Sequence, residues 1–132
     1  MTPVSDAIAM IAGMAPELDA QRWVFCTGGE PAADALCSFR EDEGLSQVLP
    51  LATAVQLGHD TSLVMRRIVL RVHSALDGVG LTAAVAGELA RNGISCNMIA
   101  AYHHDHVFVP EAQAEQAEAL LRALQSEVGK SR

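Results

Sequence analysis

The second half of the chain carries an order of apolar periodicities that stops one strand short of a complete sheet. From about residue 65 onward, the pattern alternates as a strand, becomes helical, and then continues as two strands and a last helix. In the first helical stretch Leu81, Val85 and Leu89 fall on one face. The order strand, helix, strand, strand, helix is that of a ferredoxin-like split βαβ unit without its final strand. Residues 129–132 cannot supply that strand, so we expect it to come from the first half.

The first half offers a strand that lacks a partner of its own. A helix containing Ile8 and Ile11 precedes an apolar strand at residues 23–26, and no earlier strand is available to pair with it. An unpaired sheet edge promotes aggregation, which favours pairing between the halves. We therefore predict an α+β fold of two ferredoxin-like units, residues 1–62 and 63–132, packed together with strands shared between the halves.

The composition supports a packed domain and excludes several classes of partner. Half of the residues are hydrophobic, which rules out a disordered chain, and the longest apolar run, residues 7–12, is far shorter than the roughly 20 residues of a membrane span. The 16 acidic residues outnumber the 9 basic ones, giving a net charge of −7. This charge disfavours nucleic acids and anionic membranes as partners.

Two features of the sequence predict a cytoplasmic location. The first residues lack the basic and apolar segments of a secretion signal. Cys26, Cys37 and Cys96 are odd in number and form no CxxC pair, so we expect reduced, inert thiols.

Several segments together resemble a known family. The longest segments are residues 72–86 (VHSALDGVGLTAAVA) and 93–110 (GISCNMIAAYHHDHVFVP). The first half adds residues 14–16 (MAP), 23–25 (WVF) and 39–44 (FREDEG). They resemble the small bacterial proteins that carry two ACT domains in tandem. The resemblance implies paired ACT folds that bind small effectors such as amino acids, and it does not imply catalysis. We expect neither an enzyme nor a cofactor. The resemblance also implies a regulatory or sensor function and a homodimer.

The glycine-containing loop before the predicted helix is the first candidate site. Glycines at this position leave backbone amides open, and a helix N-terminus favours a carboxylate. The resemblance implies that this loop and the adjacent strand line the effector pocket. The candidate ligand-binding residues are Asp77, Gly78, Val79, Gly80, Leu81, Asn97, Met98 and Ile99.

Roles follow for some of these residues. The amides of residues 79–81 would bind an α-carboxylate, Asp77 or an acid from a partner would bind an α-ammonium, and Asn97 would fix the orientation. The alternative is that Gly78 and Gly80 serve only a tight turn and close packing.

A histidine-rich turn is the second candidate. Residues 102–106 read Tyr-His-His-Asp-His, and imidazoles with a carboxylate are competent metal ligands. Because side chains alternate along an extended chain, His104 and His106 share one side while His103 and Asp105 share the other. Neither pair completes a coordination shell. We therefore expect no metal, and a hairpin tip at residues 103–105 in which Asp105 binds nearby backbone amides.

Two arginines share one face of the first strand of the second half. Arg67 and Arg71 could clamp an anion, but such a face is more often solvated or paired with acids. We expect solvation or pairing, with Glu41, Asp42 and Glu43 as the candidate acids.

Three functions are consistent with the sequence. The first, which we favour, is a non-catalytic regulatory module that binds a small molecule, an amino acid by resemblance. The second is an interaction subunit that regulates an unlinked enzyme. The third is a metal-binding protein that uses the turn at residues 103–106.

Overall fold

The computed structural model of the chain describes residues 3–130. Four α-helices and six strands follow one another along the described residues, and a 3-10 turn at Glu111–Gln113 leads into the last helix. In chain order the elements are α1 (Ala7–Ala12), β1 (Pro16–Thr27), β2 (Cys37–Glu41), β3 (Gly44–Pro50), α2 (Leu51–Gln56), β4 (Met65–Leu70), α3 (Leu81–Arg91), β5 (Asn97–Ala100), β6 (Asp105–Pro110) and α4 (Ala114–Lys130).

The strands of the described residues form one antiparallel sheet with β1 and β4 at its centre. Its order is β2-β3-β1-β4-β6-β5. Trp23 of β1 lies opposite Pro50 of β3 on one side and opposite Met65 of β4 on the other. Met65 in turn lies opposite Pro110 of β6. The two halves of the sheet therefore repeat the same arrangement in opposite directions from the centre.

Each central strand serves both units. The order β5-β6-β4-β1 is the sheet of a complete ferredoxin-like unit around β4, and β2-β3-β1-β4 is the equivalent sheet around β1. The predicted sharing of strands is thus confirmed. The strand β1 pairs with β4 from Pro16, opposite Leu70, to Trp23, opposite Met65. The register shifts between Leu18 and Arg22, which is an irregularity of the kind a β-bulge produces.

Helices cover one face of the sheet. The stripe of Leu81, Val85 and Leu89 on α3 is buried, as its spacing predicts, and it packs with α1 and α4 against the strands of the second unit. Over the first unit, Ala54 of α2 packs on Val24, Cys26 and Leu49. Residues 28–36, which connect β1 to β2 where α3 connects β4 to β5, contain no helix.

The other face of the sheet has its own apolar cluster. Trp23, Val48, Met65 and Phe108 are buried in it, and the described residues packed around them also belong to strands or loops. Phe25 extends the cluster through an edge-to-face contact with Phe108, with ring centroids 5.2 Å apart. Within residues 3–130, this face therefore acquires a core without a covering helix.

The sharing of β1 and β4 predicts that neither unit folds alone. We expect separate fragments 1–62 and 63–132 to lack a cooperative thermal transition, because each loses a central strand and exposes a sheet edge. Circular dichroism during heating measures this, with the intact chain as control. An equimolar mixture should regain the transition. A cooperative transition in fragment 63–132 alone would contradict the prediction.

Candidate functional site

The glycine loop at residues 77–81 is walled on one side by the N-terminal segment of the chain. Val4 forms a parallel bridge with Ser74. The Val4 N–H donates to the His73 carbonyl at 2.8 Å, and the Ala75 N–H donates to the Val4 carbonyl at 2.8 Å. These bonds hold the start of α1 beside the loop, so residues 4–12 lie against the glycine loop of the second unit.

Both glycines of the loop lie against α1. A Cβ on Gly78 would lie 3.2 Å from the Met10 sulfur, and a Cβ on Gly80 would lie 2.9 Å from the Ala7 Cβ. Gly80 also has φ +113°, a conformation that disfavours other residues. Close packing therefore accounts for both glycines. Gly80 has no side chain to cap α3, and among the described residues no capping side chain binds the first amides of this helix.

A small cavity of about 120 Å³ remains between the loop, α1 and β6. Ser74 and Asp105 contribute polar side chains to its wall. Asp105 is buried, and the Ser74 hydroxyl donates to Asp105 Oδ2 at 2.9 Å. Gly80, Leu81 and Thr82, the residues at the N-terminus of α3, line the same space. A carboxylate and the positive end of a helix dipole thus border one cavity.

The structure brings some of the predicted loop residues to this cavity. Gly78, Gly80 and Leu81 line it. Asp77 and Val79 are exposed to solvent and lie outside its lining. The acid that borders the cavity is therefore not Asp77.

The predicted residues of β5 divide between the two faces of the sheet. Met98 packs against the helix-covered core, while Ile99 packs against the cluster on the opposite face. Asn97 lies opposite Phe108 and is exposed, so it shares the face of Ile99. The β5 residue that lines the cavity is Ala100.

The prediction that Asp105 lies at the tip of a hairpin is wrong. Instead of forming the hairpin tip, Asp105 begins β6, lies opposite Leu70 and Ala100, and is only 8% exposed. The tip lies earlier, where the Ala101 N–H donates to the His104 carbonyl at 3.1 Å. The alternation of Asp105 with Val107 and Val109 would have placed it on the helix-covered face.

The histidines of the turn do not assemble a metal site. Within residues 3–130, no three His, Cys, Asp or Glu side chains are placed to hold a metal ion. The His103 ring instead lies 5.3 Å from His73 and 5.0 Å from Tyr102. Burial and nearby positive charge lower the pKa of His104, and burial and the Arg67 charge lower the pKa of His106.

Arg67 of β4 and Arg71, which follows β4, pair with acids, but with acids of β1. Arg67 forms an ion pair with Asp19 at 2.8 Å, and its guanidinium lies 5.3 Å from the centre of the Trp23 ring. Arg71 pairs with Glu17 at 3.1 Å on the exposed surface. The expected partners Glu41, Asp42 and Glu43 take no part in these pairs, because β1 rather than the β2–β3 hairpin lies beside β4.

The Asp19 carboxylate is held in its charged form. Burial alone would raise its pKa, but hydrogen bonds from the Gln21 amide, Arg67 and the Trp23 indole outweigh burial and lower it. Arg67 and Asp19 side chains are 19% and 16% exposed, so this pair is largely desolvated.

Comparison with known proteins identifies the family. Models of the ACT domain match residues 4–66 and 64–123. A Vibrio cholerae protein of unknown function, described as a possible transport protein, is 42% identical, with 89% of this chain and 94% of that one covered and a TM-score of 0.79. The chain therefore belongs to the tandem ACT-domain proteins. No match is found among curated proteins.

More distant solved structures share the fold. An Agrobacterium tumefaciens protein is 18% identical, covers 94% of this chain and 91% of its own, and has a TM-score of 0.66. The regulatory subunit of aspartate kinase from Thermus flavus is 13% identical, with 85% and 96% covered and a TM-score of 0.52. ACT domains are regulatory modules, and this chain carries two of them. None of its helices within residues 3–130 is long and apolar enough to cross a membrane.

Because Gly80 lies against α1 and Gly93 faces open space, we expect alanine substitutions at the two positions to lower the free energy of unfolding by different amounts. Gly80→Ala should lower the free energy of unfolding by about 3 kcal/mol, because it adds strain at positive φ and a clash with Ala7. The control Gly93→Ala has φ +72° but open space around its Cβ, and should cost about 1 kcal/mol. Urea unfolding measures both. Equal losses would contradict the packing of α1 on the loop.

Proposed function

We propose that this protein is a non-catalytic regulatory module that binds a small amino acid in the cavity beside the glycine loop. One observation carries the proposal: the Asp105 carboxylate and the N-terminus of α3 border the same cavity. An amino acid carries an ammonium and a carboxylate, which complement these two groups. Membership of the ACT family supports a regulatory function.

The two ends of the ligand receive different partners. The amides at the start of α3 donate to the carboxylate, assisted by the helix dipole. Asp105 accepts from the ammonium, and the oxygen of Ser74 is a further acceptor. Asp105 replaces Asp77 in this role, since the Asp77 side chain lies outside the cavity.

The volume of the cavity limits the size of the ligand. A protein cavity of about 150 Å³ accommodates benzene, which has six heavy atoms. A cavity of about 120 Å³ is therefore matched to glycine or alanine. Met10, which packs on Gly78, also lines the cavity and limits the space for a larger side chain.

Ligand binding would act by shifting a population of conformations. The cavity is bounded by α1 from the start of the chain and by α3 and β6 from the second unit. A ligand that touches all three favours the arrangement in which α1 is docked. It shifts that equilibrium only by its difference in affinity between the docked and undocked states.

A thermal-shift screen of the twenty amino acids tests the proposal. Glycine or alanine should stabilise the protein by about 2.7 kcal/mol at a hundredfold excess over Kd. Asp105→Asn should weaken binding at least tenfold, because it removes the charge that faces the ammonium. The matched control Asp77→Asn should leave the affinity unchanged. No stabilisation by any amino acid, or an equal loss in both variants, would contradict the proposal.

A second candidate is association with a protein, including another copy of the chain. Large apolar side chains near the cavity are exposed: Leu76 by 68%, Val79 by 79% and Tyr102 by 71%. Such exposure is typical of an interaction surface. Sedimentation velocity should then show a dimer that Leu76→Ser with Val79→Ser converts to a monomer. A monomer at all concentrations for the unaltered chain would exclude self-association.

A further inference from the structure

The helix-free face of the sheet curls into a trough between the two edge strands. Cys37 belongs to β2 and Ile99 to β5, which are opposite edges of the sheet, yet both line the same two spaces. The larger space has a volume of about 420 Å³ and the smaller about 90 Å³. Because they share Cys37 and Ile99, the two spaces adjoin.

The larger space is apolar. Phe25, Phe39, Val48 and Ile99 are among the residues in its wall. Phe39 is 73% exposed and Phe25 44%, which leaves aromatic surface uncovered at the mouth of the trough. The volume lies within the range of about 300–1,000 Å³ for small-molecule pockets. This end of the trough suits an apolar body of small-molecule size.

Arg67 and His106 contribute nitrogen donors and acceptors to the wall of the smaller space, which is the polar end of the trough. Asp19 accepts from Arg67 Nε at 3.0 Å and pairs with Nη2 at 2.8 Å, whereas Arg67 Nη1 lies 3.5 Å from His106 Nδ1. A guanidinium only donates. With Nδ1 facing this donor, the neutral imidazole carries its proton on Nε2 and donates there. The polar end therefore presents donors, which suit an acceptor.

We propose that the trough is a second ligand site, for monocarboxylic acids with an apolar body. The carboxylate lies in the smaller space and accepts from Arg67 Nη1 and His106. The apolar body passes Cys37 and Ile99 into the larger space beside Phe25. The site lies on the opposite face of the sheet from the glycine loop and does not depend on the proposed amino-acid site.

The shape of the trough argues for a small molecule over a second copy of the chain. A twofold contact requires a surface that is complementary to itself. Two concave faces leave a void between them, whereas an apolar acid fills one trough and also accepts from the donors at its polar end.

Alkylation of the cysteines by iodoacetamide, read by mass spectrometry, tests the site in the unaltered chain. Octanoate should slow the alkylation of Cys37 at least fivefold, because Cys37 lines both spaces. Cys96 is the internal control: it is also partly buried, with its pKa likewise raised by burial, but it packs on the helix-covered core. Its rate should not change. Butyrate, which lacks the apolar body, and octanol, which lacks the carboxylate, should protect weakly.

Variants separate the two ends of the site. Arg67→Met should abolish protection of Cys37 by octanoate, while the matched control Arg71→Met, from the exposed pair with Glu17, should retain it. Ile99→Trp fills the trough while leaving Arg67 and Asp19 themselves unaltered, and it should also abolish protection, so the test stands if Arg67→Met fails to fold.

Three results would overturn the proposal. They are an unchanged Cys37 rate with octanoate, equal slowing of Cys37 and Cys96, and protection by octanol equal to that by octanoate. Protection of Cys37 by glycine or alanine would also contradict the separation of the two sites.

Discussion

The pairing of β1 with β4 at the centre of the sheet is the constraint on which the structure depends. Trp23 lies opposite Met65 at this seam, and each of the two strands completes the sheet of the other unit. A chain of 132 residues can hold two ACT domains because it builds the two central strands once and uses each twice. The same sharing brings α1, from the start of the chain, onto the glycine loop of the second unit.

Because side chains alternate along β5 and β6, neighbouring residues of these strands lie on opposite faces of the sheet and line different cavities. Asp105 points to the helix-covered side and borders the small cavity, while its neighbour His106 borders the trough with Arg67. On β5, Ala100 and Ile99 divide in the same way. One hairpin therefore supplies residues to two separate candidate sites, and a shift of one residue in its register would exchange them.

Much of the fold follows from local pattern. The stripe of Leu81, Val85 and Leu89 predicts α3, and the missing strand of the second half predicts pairing with the first. The residues of the candidate site are harder to predict from the sequence, because which face each β6 residue occupies depends on where the turn closes. The hydrogen bond from the Ala101 N–H to the His104 carbonyl closes the turn before Asp105, so Asp105 lies in β6 and not at the predicted tip.

Ion-pair partners on neighbouring strands are harder still to predict from the sequence. Arg67 pairs with Asp19, which is far from it in sequence, because β1 and not β3 is its neighbour. The trough has no sequence signal of its own, since it arises from the curl that brings Cys37 near Ile99. Curl is a property of the whole sheet and not of any one strand.

Native-state hydrogen exchange in low urea, followed amide by amide, tests the shared seam most directly. If β1 and β4 each complete both units, their protected amides and those of β3 and β6 exchange with one common free energy of opening, equal to that of global unfolding. Protection that persists in β4 and β6 under urea concentrations where β1 and β3 have already opened would show two independent units and would contradict this account.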